Sequence, residues 1–124
     1  MELNYLGLIA ALTAFLSIWI GHVAVRKIEF ISQTIWFPTI IFAILGLFTE
    51  YCSLITDNWS LKTALGILGI TLLFDAYEFT RQQKRIRKGH APANPNNPRH
   101  ARILTESNSH ATTLDLLKRE PREM

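Results

Sequence analysis

SLKTALGILGITLLFDAYEFTRQQKRIRKG, residues 60–89, starts as a membrane span and ends as a basic helix. Between Leu61 and Phe74 the only charge is Lys62; Asp75 and Glu78 follow, and then Arg81, Lys84, Arg85, Arg87 and Lys88. A basic cluster directly after an apolar stretch marks the cytoplasmic side of a bilayer. The run therefore orients the chain, and it offers anionic lipid headgroups or an acidic partner a surface worth about 1 kcal/mol per nearby charge.

Two further apolar stretches precede it. The first covers about residues 3–25 and the second about 35–55, while the third covers 60–80 with a helical extension to 88. At ~1.5 Å per residue each is long enough for a ~30 Å hydrocarbon core. The leader MELN lacks a basic residue and no small-x-small site follows the first stretch, so it reads as a retained span rather than a signal peptide. Thr34 and Pro38 fit the start of the second span, the former as a cap and the latter in the first turn.

Arg26 and Lys27 lie in the first connection, residues 26–34, whereas TDNWS, residues 56–60, has no basic residue. The expected topology places the N-terminus outside, the first turn inside, the second outside and the tail in the cytoplasm. Residues 1–80 carry three basic and six acidic side chains, and residues 81–124 carry ten basic and four acidic. A hydrophobic body thus bears a cationic tail. That tail has no zinc-ligand spacing and no aromatic-studded basic surface, which argues against nucleic acid. The single cysteine, Cys52, excludes an internal disulfide.

After Lys88, Gly89 is a left-handed stop, and Pro92, Pro95 and Pro98 interrupt a linker rich in asparagine. The polar stretch beyond it is expected to be disordered or weakly ordered, apart from a short helix capped by Thr113 and carrying Leu114, Leu116 and Leu117. The two units are then a three-span bundle, residues 1–89, and a linker with a cationic tail, residues 90–124. His90, His100 and His110 read as solvated, and no metal site is expected.

Gly7, Ala10, Ala14, Ser17 and Gly21 recur at steps of three and four and give the first span a face on which another helix can approach closely. Thr71, Asp75, Glu78 and Gln82 share one face of the third. His22 lies at comparable depth, so His22, Asp75 and Glu78 form a candidate ion or proton site, although local pairing with Arg81, Gln82 or Arg26 accounts for the same residues. Glu50 and Lys62, facing each other across the second turn, form a candidate ion pair.

The chain carries no G-x-S-x-G, H-E-x-x-H, P-loop or G-x-G-x-x-G signature, so no catalytic residue and no cofactor is expected. His22, Lys27, Glu29, Trp36, Pro38, Glu50 and the closing YEFTRQQKRIRKGHAPANP resemble a family of small bacterial membrane proteins, domain of unknown function 4491. Within that close the distinctive positions are Glu78, Gln82, Lys88, Gly89, Pro92, Asn94 and Pro95. The resemblance implies an inner-membrane protein of about three helices and brings no activity with it. The resulting expectation is an all-α, multi-pass accessory or assembly subunit, self-associated or held in a larger complex. An oligomeric proton or cation channel, or small transporter, is the alternative.

Overall fold

The computed structural model describes residues 3–114. Four helices occur in this range and there is no strand: α1 (Leu6–Ile31), α2 (Trp36–Ile55), α3 (Trp59–Arg87) and α4 (Pro98–Thr105). The first three are long and apolar enough to cross a membrane.

Local chemistry sets the boundaries. Thr34 is not the cap expected of it: Ile35 is the N-cap residue of α2 and makes no side-chain capping bond, while Thr34 Oγ1, one residue earlier, accepts the Trp36 amide at 3.2 Å. Pro38 falls in the first turn of α2, where its missing donor has no helical acceptor to lose. Asn58 Oδ1 accepts the Leu61 amide at 3.0 Å and opens α3. Gly89, at φ +84°, closes α3 in the left-handed conformation, while the His90 amide returns to the Arg85 carbonyl at 2.8 Å.

α1 runs six residues past the expected end of the first span. Arg26–Ile31 contains no helix breaker, and the turn begins only at Ser32, whose backbone is extended. Ile28, Glu29 and Phe30 are therefore on the last turns of α1 rather than in the expected connection 26–34.

α3 is the shared packing partner. α1 and α2 each lie along it and barely touch one another. Val25, Ile35 and Phe79 form a small core, joined by Ile28 and Phe42, and the Phe42 and Phe79 rings meet edge to face at 5.1 Å. Elsewhere the large apolar side chains point outward, among them Leu12, Phe15, Ile40, Ile44, Phe48, Ile70 and Phe74. Apolar exposure on this scale marks a surface made for a nonaqueous or protein neighbour.

The expectation of a disordered or weakly ordered tail is corrected up to Leu114. Asn97 Oδ1 accepts the Arg99 amide at 3.0 Å and Pro98 occupies the first position of α4, so the asparagine–proline pair starts a helix. Ile103 is buried, and Leu104 and Ala111 pack on the cluster of Ile86, Ala91 and Ala93. The chain then folds back: the Ala93 amide donates to Thr112 at 2.9 Å and the His110 amide to Arg87 at 2.8 Å. The expected helix around Thr113–Leu117 lies mostly outside the described residues; Thr113 and Leu114 are exposed.

Candidate functional site

The most completely built polar site lies where α1 ends, beneath α4. Glu29, on the last turn of α1, is 0% exposed, as is His100 on α4. Arg99 Nη1 donates to Glu29 Oε2 at 2.6 Å and to Gln83 Oε1 at 2.6 Å. The His100 Nε2 lies 3.0 Å from both Glu29 carboxylate oxygens. On the other side of the ring, Nδ1 accepts the Asn94 amide at 2.8 Å. A nitrogen that accepts from a backbone N–H carries no proton, so Nε2 holds the hydrogen and donates it to Glu29. The ring is thereby fixed in one orientation and tautomer, and Arg99 supplies the charge that balances the buried carboxylate.

The same segment satisfies the end of α1. The last carbonyls of a helix lack intrahelical donors. Here Arg99 Nη2 donates to the Glu29 carbonyl at 2.6 Å, Asn94 Nδ2 to Phe30 at 3.0 Å, and Asn97 Nδ2 to Phe30 and Ser32 at 3.1 and 2.8 Å. Phe30 also lays its ring edge to face on His100, with centroids 6.0 Å apart. Side chains 64 to 70 residues downstream therefore act as the C-cap of α1.

His22, Asp75 and Glu78 are brought to one region between α1 and α3. His22 lines two adjoining cavities of about 260 and 280 Å³, one shared with Glu78, Gln82 and Arg26 and the other with Thr71 and Asp75. Asp75 is buried with its carboxylate over Gly21, where a side chain on α1 would leave it no room. Glu78 pairs with Arg81 at 2.7 Å, and Gln82 Oε1 accepts from Arg85 at 2.9 Å. Both local pairs follow from α-helical spacing of three.

Of the small-residue face, Gly21 is buried on α3, Ala10, Ala14 and Ser17 are half-buried, and Gly7 borders open space. In the basic run, Arg87 Nε reaches Glu106 Oε2 at 3.0 Å, while Lys84 and Lys88 are exposed.

The Glu50–Lys62 pair is not formed. Glu50 turns toward α3 and presses on Gly69, leaving Oε1 buried without a hydrogen-bond partner, and Lys62 lies 5.5 Å over the Trp59 ring. Gly69, where Glu50 meets α3, lies seven residues beyond Lys62, about 10 Å along the helix at ~1.5 Å per residue, so the two side chains sit at different depths. Among the described residues no group of three or more His, Cys, Asp or Glu side chains is placed to hold a metal ion.

The sequence profile of the domain of unknown function DUF4491 matches residues 4–97. The chain belongs to this family. No curated protein and no solved structure matches it. The DUF4491 match takes in all three long helices, Glu29, Asn94 and the Asn97 cap, and stops just before Arg99 and His100. Its closing positions, from Glu78 to Pro95, thus lead into the lock on α1.

Proposed function

We propose that this chain is a non-catalytic accessory or assembly subunit of a membrane complex, multi-pass in a bacterial inner membrane, with its N-terminus outside and the α4 end in the cytoplasm. The observation that carries this reading is the arrangement of α1 and α2 on α3 without closure around a cavity, which leaves both outer faces apolar and open to a neighbour. The orientation rests on Arg26, Lys27 and the run Arg81–Lys88, which all fall at one end. Several polar groups at that end, among them Arg99, Asn94 and Asn97, bond the terminus of α1, as expected of a part that is built rather than reactive.

Gentle extraction from native membrane followed by native mass spectrometry tests the proposal. A fixed heteromeric assembly is the expected result, and a chain recovered only as monomer contradicts it. His22, which borders both cavities beside Asp75 and Glu78, favours a second reading: an oligomeric proton or cation channel. A symmetric homo-oligomer, with a pH-gradient-driven flux in vesicles that Asp75→Asn abolishes, would replace the first reading by the second.

A further inference from the structure

A cavity of about 400 Å³ opens between the α1–α2 turn, α3 and α4. Its volume lies within the ~300–1,000 Å³ usual for small-molecule sites. Three arginines, Arg87, Arg99 and Arg102, line it together with one carboxylate, Glu106.

The three guanidinium groups differ in what already engages them. Arg99 is fixed by Glu29 and Gln83 and forms a charged wall. Arg87 shares its charge with Glu106 in a pair whose side chains are 42% and 38% exposed. A pair that open to water is worth only about 0–1 kcal/mol, so an incoming anion can share Arg87 at little cost. Arg102 is exposed and makes no ion pair among the described residues. Arginine forks match the oxygens of a phosphate in a two-point contact, and a wall with more cations than anions favours such a group.

The mouth of the cavity is apolar on one side. Trp36, which also lines it, is the first residue of α2 and is 67% exposed. Ile40 and Ile44 continue from it at steps of four and are exposed as well, giving an apolar track along the outside of α2. A tryptophan at the start of a span sits at headgroup depth. Phosphate chemistry in the cavity and a hydrocarbon track leading away from it belong to one kind of molecule.

We propose that this cavity holds the phosphate of an anionic glycerophospholipid, with its acyl chains laid along Trp36, Ile40 and Ile44. An anionic headgroup adds no cation to the arginine wall, whereas a choline headgroup brings a quaternary ammonium against it. The site differs from a diffuse basic surface because Arg102 and Arg99 come from α4 and not from the run at the end of α3. It requires insertion in a bilayer and no protein partner, so it stands or falls separately from the subunit reading.

The test uses the full chain, delipidated in neutral detergent and titrated in mixed micelles with short-chain phosphatidylglycerol, with short-chain phosphatidylcholine, and separately with inorganic phosphate. The thermal midpoint is followed at each concentration. Phosphatidylglycerol is expected to raise the midpoint saturably, phosphatidylcholine to leave it nearly unchanged, and Arg102→Gln to weaken the phosphatidylglycerol response about tenfold. Lys27→Gln, which removes an exposed charge on α1 outside the cavity, should keep the wild-type response. Because Arg102 is exposed and outside the Glu29 lock, the lipid-free variant should melt with the wild type; Arg87→Gln provides a second variant of the wall. Equal responses to the two lipids, equal losses in Arg102→Gln and Lys27→Gln, or an unchanged response in both arginine variants would overturn the proposal. Binding of inorganic phosphate without any lipid effect would overturn the lipid assignment.

Discussion

Replacing Glu29 by alanine is expected to cost about 3–5 kcal/mol of stability and to detach α4 from the end of α1. The carboxylate is wholly buried and is the one anion paired with Arg99 among the described residues; the Arg99 side chain is 11% exposed. Removing it strands a guanidinium away from water and leaves the His100 Nε2 hydrogen without an acceptor. Breaking a buried pair costs more than the pair contributes, because the surviving charge keeps its desolvation penalty. Arg99→Ala should therefore be nearly as harmful, and the double variant Glu29→Ala/Arg99→Ala less harmful than the sum of the two by about 0.5–3 kcal/mol. Thermal unfolding in detergent gives the energies, and limited proteolysis between Gly89 and Leu114 reports the detachment. The exposed pair sets the contrast: Glu106→Gln should change stability by no more than about 1 kcal/mol. Additive losses in the cycle, or an equal effect of Glu106→Gln, would contradict the account.

Gly46→Val is the other large expected effect, at the opposite kind of contact. A Cβ at Gly46 would lie 2.7 Å from Leu73 Cγ and 3.0 Å from the Gly69 carbonyl oxygen. Leu73 can turn aside, but the carbonyl belongs to the α3 backbone and can retreat only if the helices separate. Overpacking of a close contact costs about 1–3 kcal/mol for a few added carbons, and valine adds three. The second contact, Glu50 against Gly69, lies one turn further along α2 and would open with the first. Gly66→Val is the control, since a Cβ there meets nothing within 4 Å. In heat- or SDS-induced unfolding the Gly46 variant should be clearly weaker and the Gly66 variant close to wild type; equal midpoints would show that the packing of α2 on α3 is not as described.

The three long helices were legible because a run of about twenty apolar residues has few other uses. Pro38 and Gly89 announced boundaries through local geometry that each residue type favours on its own, and Asn58, which caps α3, is a residue type that does the same. The meeting of His22, Asp75 and Glu78 followed from helical spacing combined with span depth. What the sequence did not show was which distant side chains meet. Glu50 meets α3 at Gly69, about two turns from Lys62, so the expected pair is separated along the helix. Glu29 falls in the expected connection 26–34, whereas α1 continues through it to Ile31.

The lock itself was hidden for a thermodynamic reason. Eight residues, Pro98–Thr105, are too few to hold a helix alone in water, so a polar composition argued for disorder. The start signal was present in Asn97 and Pro98, and Ile103 with Leu104 offered a small apolar face. Only the carbonyls at the end of α1 and the carboxylate of Glu29, some seventy residues upstream, complete the helix's stabilisation. No local pattern carries that information.

Whether the segment after α3 folds back as the cap of α1 is read by amide hydrogen exchange on the wild-type chain in lipid nanodiscs. Protection is expected at Ala93, Asn94 and His110, whose amides donate to Thr112, to the His100 ring and to Arg87, and its loss in Glu29→Ala. Exchange at all three amides in the wild type as fast as in an unstructured peptide would contradict the fold-back.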